Sequence, residues 1–242
     1  MGDMVASRFL LYGSLTICFT FLMSGYGYQW NIWSLGFAFT VLRYSAYAAF
    51  GFTFLNLISL WYLRKSQTGV IAFVLIAFIL TCIVSLTSLY WQHKAGSVPP
   101  IHDITTDFVN PPEFVATLRL RDGSPNPPEY LGDDVRVMQE ESYPEIQPLY
   151  LNEELQVVMD QTVLLIIRKN WDLVAINRNE GRIEATEKLP WFGFKDDVVF
   201  RFTESNGGTR VDMRSKSRIG RSDIGVNAGR IDRFLRDLSQ AI

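Results

Sequence analysis

VIAFVLIAFILTCIVSLTSLYW, from Val70 to Trp91, carries no charged side chain and closes on two aromatic residues. A bilayer's hydrocarbon core is ~30 Å thick and takes about 20 consecutive apolar residues as a helix, more than an aqueous core helix usually offers. The stretch therefore predicts a membrane span, and the residues on either side follow its logic. Upstream, between Val5 and Trp91, the charged side chains are Arg8, Arg43, Arg64 and Lys65, while charge becomes frequent from Ala95 onward. The solvent changes near Lys94.

Two further stretches qualify as spans, so residues 1–94 read as a three-helix anchor with spans at about 9–30, 41–63 and 70–91. Tyr26, Tyr28, Trp30, Trp33, Trp61, Tyr62, Tyr90 and Trp91 crowd the ends, where amphipathic rings favour the headgroup level. A cleaved signal peptide competes for the first span, but it lacks a small-residue cleavage site and two more spans follow it. Arg64 and Lys65 form a short basic loop that should stay cytoplasmic, and Arg8 agrees with that side. The expectation is a cytoplasmic amino terminus and an extracytoplasmic carboxy-terminal domain. Arg43 opposes this mildly and would have to snorkel from the end of its span. Ser45, Ala46, Ala48, Ala49 and Gly51 would let helices pack closely. With no acid or His inside the spans, a proton relay is not expected.

The part from Ala95 to Ile242 has 18 Lys+Arg against 24 Asp+Glu, a net charge of −6, which excludes general nucleic-acid binding. Residues 205–242 alone are +4, a basic island on an acidic body suited to a lipid headgroup, an anionic small molecule or an acidic partner. Both cysteines, Cys18 and Cys82, lie in the anchor, so no disulfide framework supports the soluble part.

Residues 95–150 hold nine of the ten prolines, which reads as a wrapping linker with at most a short helix around Pro112 to Leu118. Residues 151–242 read as an α+β domain. A helix from Glu153 to about Asn170, capped by Asn152, buries Leu155, Met159, Val163, Ile166 and Ile167. Strands follow at Asp172 to Asn177, Arg182 to Leu189, Asp197 to Thr203 and Thr209 to Ser217. Ser205-Asn206-Gly207-Gly208 supplies the positive-φ residues of a hairpin between the last two. A closing helix from about Asn227 to Ala241 stripes Ile231, Phe234, Leu235 and Leu238. The expected fold is thus a four-stranded antiparallel sheet with both helices on one face.

Between the last strand and the last helix lies Arg214-Ser215-Lys216-Ser217-Arg218-Ile219-Gly220-Arg221-Ser222-Asp223-Ile224-Gly225-Val226-Asn227. Forked donors, hydroxyls and glycines at a helix amino terminus are what an anion site needs, and Arg214, Ser215, Ser217, Arg218, Arg221, Ser222, Asn227 and Arg230 are its candidate ligands. The bland alternative is that Ser222, Asp223 or Asn227 caps the helix while the arginines pair with Asp196, Asp197, Asp212 and Glu184. A second candidate groups His102 with Asp103 and Asp107, either as a metal or acid–base site, for which a single His is a weak metal signal, or as hydrogen bonds pinning linker to domain. Asp196 and Asp197 should point to opposite faces, which disfavours joint carboxylate chemistry. Trp191-Phe192-Gly193-Phe194 could dip into lipid, meet a partner or cap the core. No nucleophile elbow, phosphate loop or paired-cysteine zinc spacing occurs, so no catalytic residue, metal or cofactor is assigned.

These strings resemble a family. Pro99 to Asp107, Tyr143 to Leu149, Gly181 to Ala185, Gly193 to Val199, and Arg210 to Arg218 continuing to Arg230-Ile231 are similar to the bacterial and plastid domain of unknown function 1499, over about residues 98–240. The resemblance implies this architecture, with three leading spans as in proteobacterial members, and supplies no catalytic set. The functional expectation is a membrane-anchored binding or accessory module whose partners are membrane lipids, other membrane or envelope proteins, or an anionic small molecule. The alternative is an envelope lipid or glycan hydrolase or transferase using His102 with an aspartate.

Overall fold

The computed structural model describes residues 2–242 and divides into two compact units, residues 2–94 with 191–193, and residues 95–190 with 194–242.

The first unit is built on α1 (Gly2–Gln29), α2 (Leu35–Tyr62) and α3 (Thr68–Ser97). Buried positions on α1 (Ser7, Leu10, Ser14, Ile17, Phe21, Ser24) and on α3 (Val70, Val74, Ala77, Thr81, Val84) alternate by three and four residues, and α2 adds Ala38, Ser45, Ala49 and Asn56. That is the 3.5-residue period of left-handed helix bundles. Several of these inward positions are small or hydroxylic, which lets backbones approach where no hydrophobic drive separates helix from lipid. α1 and α3 are each long and apolar enough to cross a membrane. The expected third span is not matched on the same terms: α2 is 28 residues long, but Arg43, Asn56, Tyr44 and Tyr47 dilute it. Asn56, fully buried, donates from Nδ2 to Ser14 Oγ at 3.3 Å on α1 and to Thr81 Oγ1 at 3.4 Å on α3. One turn away, Thr53 and Ser85 hydroxyls lie 3.2 Å apart.

The aromatic turn belongs to this unit. Trp191 Nε1 donates to the Leu22 carbonyl at 2.8 Å, its ring lies 5.2 Å from that of Phe21, and Phe192 stacks on Phe39 at 5.5 Å.

The second unit holds a six-stranded antiparallel sheet rather than four strands. Its path runs β1 (Asp103–Thr105), β6 (Gly208–Ser217), β5 (Lys195–Ser205), β4 (Arg182–Lys188), β3 (Asp172–Asn177), with β2 (Leu149–Leu151) also on β6. The two extra strands come from the proline-rich segment. Each is three residues long, too short for a period-2 pattern to register, and both lie along one edge of β6, against residues 214–216 and 209–211. Gln139 completes the outer side of β1 by accepting from Thr105 N at 3.1 Å and donating to Thr105 O at 2.8 Å. At the β5–β6 turn Asn206 and Gly207 have φ of 50° and 83°, the two positive values a tight hairpin requires.

Three helices accompany the sheet: α4 (Asp133–Ser142), which the sequence pattern did not suggest, α5 (Leu155–Arg168) and α6 (Val226–Ala241). A 3₁₀ turn at Thr117–Arg121 replaces the helix expected at 112–118. Glu154, not Asn152, stands at the α5 N-cap, without a side-chain cap bond. Asn152 is still part of the β2 approach: a Cβ on Gly208 would fall 3.0 Å from Asn152 Cα and 2.0 Å from Leu151 O, so glycine at 208 is what admits β2. α5 and α6 cover one sheet face. Val158, Met159, Leu165 and Ile166 from α5 and Ile231, Phe234, Leu235 and Leu238 from α6 enclose Ile183, Val198, Phe200, Phe202, Val211 and Met213. Burying a side chain of this size contributes roughly 1.5–3 kcal/mol. Residues 107–131 of the proline-rich segment lie over the other face, while its Ile101, Ile104, Val135 and Ile146 join the helix-side core.

Candidate functional site

On β6 successive side chains alternate between the two sheet faces, and the basic string divides accordingly. Ser215 and Ser217 point to the helix side, and Arg214 and Lys216 to the side covered by residues 107–131.

On the covered side the charges neutralise one another out of water. Asp103 of β1 accepts from Arg214 Nε at 2.9 Å and Nη2 at 2.8 Å, and Lys216 Nζ lies 3.0 Å from the same carboxylate. Arg214 also donates to the carbonyls of Pro112 and Pro128, and its guanidinium lies 4.9 Å from the Phe114 ring and 5.5 Å from that of Tyr130. Lys216 is fully buried and donates to Glu129 O at 2.5 Å; burial pushes its ammonium below the ordinary lysine value, and Asp103 opposes that push. Asp197 collects Arg121 at 2.7 Å, a two-pronged contact from Arg218 at 2.9 and 2.7 Å, and the Thr186 hydroxyl at 2.6 Å. Glu184 accepts from the amides of Val115, Ala116 and Thr117 and from the Thr117 hydroxyl, between 2.8 and 3.2 Å. The open amides at the start of the 3₁₀ turn thus receive a carboxylate from the sheet.

On the helix side Arg230 pairs with Glu187 and with Asp196 at 2.6 Å, and donates to Ser215 Oγ at 2.8 Å and to Asn227 Oδ1. Asn227 Nδ2 bonds Ser217 Oγ and the His102 carbonyl, each at 3.0 Å. Asp196 and Asp197 do serve opposite faces. The amino terminus of α6 is already filled: Asp223 accepts from the amides of Gly225 at 2.8 Å and Asn227 at 2.6 Å. Burial raises its carboxyl above the usual aspartate value against those two amides.

Of the eight candidate anion ligands, Arg214, Arg218 and Arg230 are therefore engaged by carboxylates of the same chain, and Ser215, Ser217 and Asn227 by one another and by Arg230. The partners only partly match those expected, since Asp103 and Glu187 join Asp196 and Asp197, while Asp212 and Glu184 serve other groups. Arg221 alone among these arginines is exposed and, among the described residues, makes no ion pair. Ser222 Oγ accepts from Ile224 N at 3.1 Å across a turn in which Ile224, a β-branched residue, sits at φ 55°.

His102 Nδ1 is 3.3 Å from the Arg221 carbonyl, and its Nε2 is buried without a partner. Neither aspartate joins it. Asp103, one residue on, faces the opposite side of the strand. Asp107 is held by Arg201 at 2.8 Å and Arg210 at 2.9 Å, both of which also bind Asp212. Burial would raise the Asp107 carboxyl, but the amides of Asn110 and Val109 and the Arg201 guanidinium outweigh it and hold the group below its ordinary value. Two clefts, of about 970 Å³ beside the β5–β6 hairpin and about 220 Å³ beside Arg182 and Arg201, are lined by none of the candidate residues.

Sequence reasoning offered Glu184 only as an arginine partner and missed Arg121, Tyr130 and Gln139; all four act across more than 30 residues of chain. It also missed Asn56, for which a polar amide inside an apolar run was the available signal.

A family model described as a protein of unknown function (DUF1499) matches residues 103–238, more than half of the chain. Comparison with curated proteins gives no match.

Proposed function

The chain belongs to the DUF1499 family, and from that premise we propose that it is a membrane-anchored, extracytoplasmic binding or accessory module, working beside or within a larger membrane assembly. The anchor has three spans in this proposal. α2 is included because Asn56 bonds to both neighbouring helices, a use of an amide that favours a lipid-embedded bundle. Arg8, Arg64 and Lys65 set the amino terminus on the cytoplasmic side, which leaves residues 95–242 in the periplasm or its equivalent.

One observation carries the binding role: α5 turns Val157, Leu164 and Ile167 outward, and Leu164 and Ile167, the latter expected from its spacing to be buried, are 53% and 60% exposed. The edge strand β3 adds Leu173 and Ile176, 37% and 41% exposed. Apolar side chains gathered on one helix face next to an unpaired strand edge suit a protein partner. The anionic-ligand form of the proposal narrows to Arg221 and Ser222, because the other cations are neutralised internally.

The test is a photo-crosslinking residue at Leu164 in native membranes, compared with one at Arg236 and with an Ile167→Asp variant. Adducts specific to position 164, and lost with Ile167→Asp, are expected. The proposal fails if position 164 gives no adduct, or the same adducts as position 236.

A further inference from the structure

Arg43 is the one charged residue within α2, and it is exposed on the bundle surface. Among the described residues no hydrogen bond, ion pair or ring contact holds its guanidinium. The proposed function places α2 across the membrane, and the inference rests on that placement. The apolar run starts the span at about residue 41, so at 1.5 Å per residue the Arg43 backbone lies ~3 Å inside the hydrocarbon edge and its side chain reaches back to the headgroup level. An arginine there is expected to face a partner.

The surroundings indicate its chemistry. Helical side chains lean toward the amino terminus, so Arg43 runs back over Thr40 and Gly36. Both are small, and the space above Gly36 is open, with no atom within 4 Å of where a Cβ would stand. On the other side Tyr44 and Tyr47, 67% and 62% exposed, set their rings edge to face at 6.3 Å. Phenols beside a cation on a lipid-facing surface fit the headgroup level, where the ring stays in hydrocarbon and the hydroxyl reaches polar groups. A guanidinium fork matches a phosphate bidentately, and the phenols supply further donors.

We propose that Arg43, with Tyr44 and Tyr47, forms a binding site for the phosphate group of an anionic membrane lipid, in the leaflet nearer the start of α2. The lipid enters over Gly36 and Thr40, and its phosphate neutralises the only charge α2 carries.

The test uses the full chain in mild detergent, with retained phosphatidylglycerol counted by native mass spectrometry during titration and phosphatidylcholine as comparison. Arg43→Gln is expected to lower phosphatidylglycerol retention about fivefold. Arg43→Lys should fall between, Arg64→Gln should match the parent, and inorganic phosphate should not displace the lipid. Equal retention by Arg43→Gln and parent, with unchanged helical circular dichroism, overturns the proposal. So does displacement by inorganic phosphate, which would mark a free-anion site, or loss of a co-purifying protein with lipid retention unaltered. The span itself is tested separately in sealed vesicles with an impermeant maleimide on Ile32→Cys and Gln67→Cys chains. Labelling from opposite sides keeps the span, whereas labelling from the same side removes it whatever the lipid result.

Discussion

Asp103 and Arg214, 111 residues apart, meet in a two-pronged ion pair of 2.9 and 2.8 Å in which both side chains are at most 2% exposed. The pair ties the first strand of the proline-rich segment to the central β6 and sits under Phe114 and Tyr130. Removing one member leaves a buried charge without its partner, which costs roughly 3–5 kcal/mol. Asp103→Ala should therefore lower the unfolding free energy of the solubilised full chain by an amount in that range, followed by near-ultraviolet circular dichroism. A change below about 1 kcal/mol, the value of an exposed pair, would mean that the pair is open to water.

Glu184 has a different task. Its carboxylate collects amides at the start of the 3₁₀ turn, so Glu184→Ala should free residues 112–121 before the sheet melts, at a cost of about 3 kcal/mol for buried donors left unpaired. Limited proteolysis should cut the variant near Arg119 and Arg121 while the parent resists. Equal resistance would place the anchoring elsewhere.

Elements with a long, regular apolar pattern were legible in the sequence. β3 to β6, α5 and α6 lie within about two residues of where periodicity and the Asn206-Gly207 turn put them, since each has its own repeating face. β1, β2 and the wrapping segment were not legible, because three-residue strands have no period and prolines read locally as loop. The basic string was legible as unusual but not as interior. Charge composition says nothing about partners brought in from residues 103, 121 and 129, and the covered sheet face only exists once those residues fold over it. The Pro112 to Leu118 helix and the Asn152 cap missed for the same reason: contacts with the sheet, at Glu184 and Gly208, decide the backbone there.

Two phenols give a pH signature. Burial pushes Tyr130 and Tyr143 up to about 12, with Asp103 and Asp223 respectively adding to the effect. The folded chain thus holds protons the unfolded chain releases near 10.0, and stability should fall as pH rises from 10.0 to about 12. Lys216, pushed down by burial from 10.5, works in the opposite sense and gains stability as pH rises toward that value. The measurement is therefore a difference: Tyr130→Phe should lose less stability than the parent across this window. Parallel curves would contradict the assignment.

Gly208→Ala would set a Cβ 2.0 Å from Leu151 O, so β2 must leave β6. Slow-exchanging amides at 149–151 should disappear from the variant while those of β4 and β5 stay. Retention of the 149–151 set would show that β2 adapts in place.

In the anchor, Asn56→Leu deletes the bonds to Ser14 and Thr81, and intramembrane bonds of this type are worth about 0.6–1.7 kcal/mol. A loss of that size in detergent unfolding is expected. A gain would mark Asn56 as a cost retained for another purpose.

The most direct measurement is amide hydrogen exchange of the full chain, read at Val115, Ala116 and Thr117. Because these amides bond to the buried Glu184 carboxylate, they should exchange with the slow amides of β5 and β6. Exchange at free-peptide rates while β5 and β6 stay protected would contradict the central claim, that the proline-rich segment seals a layer of internally neutralised charge.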